Sequence, residues 1–423
     1  MSKKRIIVVG GGPAGMFAAL QAAGDGHEVL LLEKNEILGR KLKITGGGRC
    51  NLTNIKDKKE HQRATIHNPK FLYKSFDMLN PKELMKYFED RGCAFKLEKE
   101  GTVFPKSDDS TEIINILLKD LINHGVQIWY NHKVKSILTT EHRVRGVALT
   151  DDREVPAEAV IITTGGASYP QTGSTGDGYE MAVDLGHSIE KIKPALTSFE
   201  LKETWVKTLA GISFTETSLR ILSMKNLQQW GDLLLTHYGI SGPPVLKLSS
   251  YINEINLKEA PATVEIDFFP DKTEEELKDW FLNQSSGRKN LGNMLTEFWP
   301  KKFIEEILPF LGIPKDRKMN ELKKKERNKV INALKKLQLT VIGLRPVKDA
   351  IVTAGGVNVK EVNPSTMESK KVSGLYFAGE VLDLDAITGG YNLQIAFSTG
   401  YVAGLSAKEK LKQQHTRKRL ETE

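Results

Sequence analysis

Apolar positions along this chain form short solid runs toward both ends and mixed, periodic stretches between them. Ile6 to Val9 and Val29 to Leu32 are strand-length runs of the kind buried on both faces of a parallel sheet. Between them alanine and leucine recur without a breaker until Gly24 and Gly26, which predicts a helix. Ala159 to Thr163 and Leu375 to Ala378 read as further buried strands. A last helix is expected from about Tyr391 to Lys412, with Gly400 and Gly404 four residues apart on a small-residue face. Around Pro194 the pattern changes to short β-prone runs separated by turns, as far as about residue 269. From Pro270 the apolar spacing becomes three and four, and strands return with "LTVIGLRPVKDAIVTAGGV". The expected organisation is an α/β domain from 1–194 and 350–423, a β-rich domain from 195–269 and 340–349, and a helical domain from 270–339.

Composition narrows this. The chain has 423 residues, 39% hydrophobic and 27% charged, so a globular, soluble protein of two or three domains is expected. No apolar run is long enough to span a bilayer. The N-terminus enters a strand directly, with no signal-peptide pattern, and the two cysteines, Cys50 and Cys93, form no C-x-x-C pair; a cytoplasmic location fits. The net charge of +8 is concentrated in residues 315–336 and in the tail "KEKLKQQHTRKRLETE". A nucleic-acid partner is one reading. A solvated basic helix face is preferred, because no aromatics interleave with these lysines as a base-stacking surface requires.

The first chemical signal is Gly10-Gly11-Gly12-Pro13-Ala14-Gly15, a G-x-G-x-x-G turn between the first strand and the first helix. Gly10 permits the turn, Gly12 lets backbone approach a pyrophosphate, and Gly15 lets helix and strand pack closely. The helix N-terminus offers N–H groups and partial positive charge. Glu33, at the end of the second strand, suits an adenosine ribose with a free 2′-hydroxyl, hence FAD or NAD. The C-terminal return favours FAD. A strand ending in Gly379-Glu380 delivers an acid to ribityl hydroxyls, and the helix starting after Gly389-Gly390 points its dipole at a flavin pyrimidine. A third glycine cluster, Thr164-Gly165-Gly166 with Gly173, Gly176 and Gly178, has the wrong spacing for a second dinucleotide loop. It is read as the crossover leaving and re-entering the FAD domain, with a loop for NAD(P)H as the alternative.

"GGGPAG", "GRKLKITGGGRCNLTN", "TTGGASYPQTGSTGDGY", "LLLTHYGISGPPVL", "VTAGGV" and "GLYFAGEVLDLDAITGGYNLQIAFSTG", in this order through almost the whole chain, resemble the BaiN-type family of NAD(P)/FAD-dependent oxidoreductases, which includes aminoacetone-oxidase-like bacterial flavoproteins. The resemblance implies a glutathione-reductase-type Rossmann FAD domain built from both chain ends, an inserted β-rich domain and a small helical domain. It leaves the substrate open. Thr102 is a departure, standing where family members more often have an arginine.

On this reading the segment 39–54 crosses from the ribose-binding strand toward the flavin ring. Arg40 and Lys41 are expected to meet pyrophosphate charge. Gly46, Gly47 and Gly48 are expected to lie flat against the isoalloxazine, with Arg49 and Asn51 at its edge, unless Arg49 is an ordinary surface residue. Cys50 is read as a packing residue in preference to a flavin attachment or a redox thiol, so the FAD is expected to be non-covalent. Lys34, Val134, Tyr391, Asn392, Leu393 and Gln394 complete the candidate cofactor-binding set. His237, beside Thr236, Tyr238 and Ser241, is a candidate acid or base, with a purely structural histidine as the competing reading; Tyr391 and Asn392 are the other catalytic candidates. No metal-ligand cluster is apparent. The function expected is an FAD-dependent oxidoreductase that passes hydride between a small molecule and a second acceptor, with NAD(P)H as a transient donor in one version. The insertion is expected to form a lid over the flavin. The alternative is a flavin-containing RNA- or partner-binding protein that uses the basic helical segment. No oligomeric state is read from the sequence.

Overall fold

The structure, a computed structural model, describes residues 4–284 and 289–420, with side chains as far as Gln414. The basic side chains of the tail beyond Gln414 lie outside the described residues. The chain divides into two compact units, Met1–Ala195 with Val347–Glu423, and Leu196–Pro346.

The first unit is built on a five-stranded sheet in the order Leu375–Phe377, Ala159–Ile162, Arg5–Val9, Glu28–Leu32, Gln127–Trp129, with every neighbouring pair parallel. The expected solid apolar runs are its central strands, and Ile6, Ile7, Val8, Val160, Ile161 and Ile162 are fully buried. Pro13–Ala22 forms the first helix, with proline in its first turn, where a missing N–H costs nothing. The helix beginning at Tyr391 runs to Leu420 and packs on it. Gly400 and Gly404 are the contact points. A Cβ at Gly400 would sit 2.2 Å from the carbonyl oxygen of Ala14, and one at Gly404 2.1 Å from that of Ala18. Phe17 fills the space beside this seam, with its ring 4.8 Å from that of Phe397 and 4.9 Å from that of Tyr87. Small antiparallel sheets decorate the unit: Val134–Thr140, Arg143–Leu149 and Glu154–Pro156; Thr53–Asn54, Thr102–Pro105 and Phe95–Leu97; and Ile189–Ala195 paired with Val352–Val357.

The second unit is a closed six-stranded antiparallel barrel with helices Pro243–Ile252, Glu274–Asn283, Lys301–Phe310 and Lys324–Lys336. Barrel and helices share one apolar core. Phe214, on a barrel strand, lies 4.9 Å from Phe303 on a helix, and Phe268 lies 5.7 Å from Trp299. Separate β-rich and helical domains are expected from the pattern change at Pro270. The observed arrangement is one unit, because the amphipathic helices bury their apolar faces on the barrel instead of on each other. Among the described residues no helix is long and apolar enough to cross a membrane.

Gly404→Leu should loosen the seam between the first and last helices. Overpacking a tight core contact costs about 1–3 kcal/mol, so a clear drop in thermal midpoint is expected by circular dichroism. An unchanged midpoint would mean that the helices do not meet at this register.

Candidate functional site

The glycine turn, Glu33, Thr163–Gly166 and Gly379–Glu380 all lie at the carboxyl ends of strands of the one parallel sheet, where open α/β sheets bind ligands. The first helix begins after Gly12 with no side-chain cap and no acid in its first turn, and a Cβ at Gly12 would meet nothing within 4 Å. Its uncapped N-terminus therefore faces open space. The Glu33 carboxylate accepts hydrogen bonds from the Gly11 N–H (2.7 Å) and from both the backbone and the side-chain amide of Asn35 (2.8 Å each). The Thr163 hydroxyl bonds the carbonyls of Val9 and Gly10, holding the crossover strand against the turn. Thr164 Oγ1 is buried without a partner. Val134 opens an antiparallel strand, its side chain in the core.

The three cations of this segment are engaged by groups of the protein itself. Lys34 donates to Thr175 and Asp177, both at 2.6 Å. Arg40 is exposed and, among the described residues, donates to Asn35 Oδ1 at 3.3 Å. Lys41 pairs with Glu380 at 2.8 Å and donates to Ser168 at 2.7 Å. Glu380 also accepts from the Thr353 N–H, and the Thr353 hydroxyl takes the N–H groups of Ala167 and Ser168. Ser168 and Thr353 are members of this cluster that sequence reasoning missed, since no motif marks them. A Cβ on Gly166 would strike Thr353 Oγ1 at 2.3 Å, which is why the crossover needs a glycine there.

In the second glycine run Gly46, Gly47 and Gly48 have φ of 59°, 69° and 89°, in the left-handed region. A Cβ at Gly46 would press on Asn51 N (2.9 Å) and the Phe104 ring (3.0 Å), whereas one at Gly47 would meet nothing within 4 Å. The run is thus packed at one end and open at the next residue. Arg49 is half-exposed and turned to the protein: it pairs with Glu98 at 2.8 Å, lies 4.1 Å over the Phe104 ring and donates to the Gly46 carbonyl. It fastens the run from outside. Cys50 is fully buried, and burial pushes its thiol up to about 12 against the opposing hydrogen bond with Thr45. Asn51 Oδ1 is buried without a partner. Thr102 opens the strand beside Asn54, and its hydroxyl caps the Lys99 carbonyl.

Gly389 and Gly390 lead into the last helix. Tyr391 is buried with its ring 4.9 Å from His61, and its hydroxyl is pushed up to about 12, chiefly by burial. The Asn392 amide spends both its groups on Ala386, accepting from the N–H at 2.9 Å and donating to the carbonyl at 2.7 Å. Gln394 is fully buried and tied to Thr53, Leu79 and Ser398. Leu393 is half-buried. The side chains of Asn392 and Gln394 therefore fix the helix start. Just upstream lie Asp383, whose carboxyl is raised by burial and which accepts from Asn68, and Asp385, fully buried and bonded to His67. In the second unit His237 is exposed at the turn between Gln228–Thr236 and Gly239–Ser241. Beside it Tyr238 lies under Arg345 (4.7 Å), and Ser241 accepts from Ser198.

This arrangement fits a long, anionic, flat ligand such as FAD. An uncapped helix N-terminus, buried polar atoms without partners on Thr164, Asn51 and Asp385, and open space at Gly12 and Gly47 all occur in the first unit. A family model described as "HI0933-like protein Rossmann domain" matches residues 4–406. The chain is 32% identical over 415 residues to a 3-dehydro-bile acid delta(4,6)-reductase of Clostridium scindens, covering 96% of this chain and 99% of that protein. It is 31% identical over 405 residues to a ribosomal RNA dihydrouridine synthase of Haemophilus influenzae, covering 95% and 97%. Among solved structures, a 3-ketosteroid delta1-dehydrogenase of Sterolibacterium denitrificans aligns over 97% of this chain and 100% of that one with a TM-score of 0.53 at 13% identity, a likeness of fold.

Both thiols are expected to be silent in the folded protein. Cys50 and Cys93 are buried, and each is pushed up to about 12, so neither supplies thiolate at neutral pH. A disulfide reagent at pH 8 should titrate almost no thiol natively and two per chain in guanidinium; rapid native labelling would contradict this burial.

Proposed function

The chain belongs to the HI0933-like Rossmann family and is an FAD-dependent oxidoreductase, and we propose that it reduces a carbon–carbon double bond conjugated to a carbonyl group. One observation carries this. Two full-length relatives are named for very different molecules, a 3-dehydro-bile acid and ribosomal RNA. A 3-oxo-Δ4 steroid and a uracil ring share one reactive element, an alkene activated by a neighbouring carbonyl. Such an alkene accepts hydride at its far carbon because the charge is delocalised onto oxygen.

FAD, when bound, supplies the two-electron chemistry. The residues that would hold it are those assembled above. Glu33 would take the adenosine ribose, and the N-terminus of Pro13–Ala22 the pyrophosphate. Glu380, itself held by Lys41, would take the ribityl chain. Gly47 and Gly48 would lie against the ring, and the N-terminus of the last helix, after Gly390, would favour negative charge on the pyrimidine. Fastening of the glycine run by Arg49, and of the helix start by Asn392 and Gln394, keeps these backbone groups in place before any ligand arrives. His237 remains a candidate proton-transfer group of the second unit, and Tyr391 one of the first. The proposed source of reducing equivalents is NAD(P)H, bound transiently.

A second reading takes RNA as the substrate, and the basic segment 315–336 favours it. That segment has ten basic and three acidic residues. Lys315, Lys318, Lys324 and Lys325 are exposed and make no ion pair among the described residues. Cations of this kind, spared from internal pairing, suit phosphate contacts.

Photoreduced holoprotein, mixed anaerobically with a 3-oxo-Δ4 bile acid or with a uridine-containing RNA hairpin, should be reoxidised by one of them, with product saturated at the alkene by mass spectrometry. Reoxidation by RNA, with affinity falling steeply in salt, selects the second reading. Silence with both substrates sinks the proposal.

Gly47→Val tests the placement of the glycine run. Its side chain would enter open space, so the protein should stay folded, paying about 1–3 kcal/mol for the left-handed backbone. FAD occupancy or the rate of flavin reduction should nevertheless fall at least about tenfold, the equivalent of 1.4 kcal/mol. A folded variant with full occupancy and parental reduction would assign the run to a plain turn.

A further inference from the structure

Four segments far apart in the chain meet at one carboxylate of the first unit. Lys41 follows the strand Glu28–Leu32, Ser168 follows Ala159–Ile162, Thr353 lies on Val352–Val357, and Glu380 follows Leu375–Phe377. Lys41 Nζ donates to Glu380 Oε1 at 3.0 Å, to Glu380 Oε2 at 2.8 Å and to Ser168 Oγ at 2.7 Å. An ammonium group has three protons to give, and these contacts use them all. Thr353 N–H donates to Glu380 Oε1 at 2.8 Å. The Ser168 hydroxyl, shared with the Ile351 carbonyl, lies 3.2 Å from the same oxygen. Ser168 and Thr353 are fully buried.

The two oxygens of Glu380 are therefore unequal. Oε1 faces Lys41, the Thr353 N–H and the Ser168 hydroxyl, whereas Oε2 faces Lys41 alone among the described residues. A carboxylate oxygen has about two lone pairs to offer, so Oε1 is filled and Oε2 keeps room for one more donor. The Glu380 side chain is 21% exposed, so the carboxylate is not sealed off from a ligand. Thr353 also holds the crossover. Its hydroxyl accepts the Ala167 N–H at 2.9 Å and the Ser168 N–H at 3.1 Å. Gly166 makes this approach possible, since a Cβ there would lie 2.3 Å from Thr353 Oγ1 and 2.9 Å from Glu380 Oε1. Thr353 stands opposite Pro194 in the two-stranded ribbon of Ile189–Ala195 and Val352–Val357.

We propose that Lys41, Ser168 and Thr353 are positioning residues for the cofactor: they clamp Glu380 in one rotamer, with Oε2 presented to a ribityl hydroxyl of FAD. Lys41 acts on the cofactor through Glu380 and not by meeting the pyrophosphate charge. The proposal rests on the assignment of Glu380 to the ribityl chain. A carboxylate fixed before the ligand arrives loses little rotamer freedom when the ligand binds. A hydroxyl donating to an ionised oxygen makes a charge-assisted hydrogen bond, stronger than a neutral one. Both gains depend on direction, and direction is what the clamp supplies. Thr353 acts one step further out, giving its N–H to Oε1 and its hydroxyl to the loop that carries Ser168.

The test is a double-mutant cycle on FAD affinity, read by flavin fluorescence as apoprotein of the full chain is titrated with FAD. Lys41→Met and Glu380→Ala should each weaken binding about tenfold or more, the scale of one hydrogen bond to a charged group. The double variant should bind no worse than Glu380→Ala alone, because Lys41 then has nothing to position. The thermal midpoint of Lys41→Met apoprotein should stay near that of the parent, since partly exposed ion pairs contribute little to stability. Thr353→Val should also weaken binding, and Thr353→Ser, which keeps the hydroxyl, should restore it. Losses that multiply in the double variant would mean that Lys41 meets the cofactor directly, and the clamp fails alone. Parental affinity in Lys41→Met beside a weakened Glu380→Ala ends it likewise. A folded Thr353→Val with parental affinity, or no recovery in Thr353→Ser, removes Thr353 from the clamp; if Thr353→Val does not fold, the Lys41 cycle decides. Full affinity in Glu380→Ala instead overturns the ribityl assignment and takes the clamp with it, and a parent that takes up no FAD overturns the cofactor reading itself.

Discussion

The seam between the first and last helices is the contact on which the first unit depends. Gly400 and Gly404 let the last helix lie directly on the backbone of Ala14 and Ala18, closer than any side chain would permit. Because these helices come from opposite ends of the chain, this packing brings Gly379, Glu380 and Gly390 to the same sheet edge as Gly12 and Glu33. Interiors this dense transmit small displacements. An ångström gained at the seam would be felt at both helix N-termini.

Around that seam the charges are arranged in pairs. Lys41 is neutralised by Glu380, Lys34 by Asp177 and Arg49 by Glu98. The cations one would assign to phosphate are mostly spent on holding loops, whereas backbone N–H groups at a helix start carry partial positive charge without a side chain. Such donors are fixed by the fold and lose no side-chain entropy when a ligand binds. Partly exposed pairs of this kind contribute little to stability; their value lies in where they hold the acid and the glycine run.

Legibility in the sequence followed distance along the chain. The glycine turn, Glu33 and the buried strands could be read because each lies within one local pattern of known period. Gly400 and Gly404 were readable for the same reason, being four residues apart on one helix. Arg49 was expected at a ring edge; its partners Glu98, just past the strand Phe95–Leu97, and Asp108, in the loop after Thr102–Pro105, lie far along the chain, which no local pattern reveals. Asn392 and Gln394 look like ligand-facing residues beside a glycine pair, yet the amide of Asn392 closes onto Ala386 and that of Gln394 onto Thr53 and Leu79. His67 and Asp385 were invisible as a pair, lying far apart in the chain. The single core of residues 196–346 escaped because the change of period at Pro270 marks a change of element, not of domain.

The ribbon of Ile189–Ala195 and Val352–Val357 ends with Ala195 directly opposite Val352. The chain therefore leaves the first unit and returns to it at adjacent points on one hairpin. Topologically, the whole stretch between is a hairpin loop that has acquired its own core. The entropy of closing a loop grows only with the logarithm of its length, so the sheet has little means of sensing what that loop contains. New material could be inserted, enlarged or exchanged there while the cofactor-binding half kept its geometry.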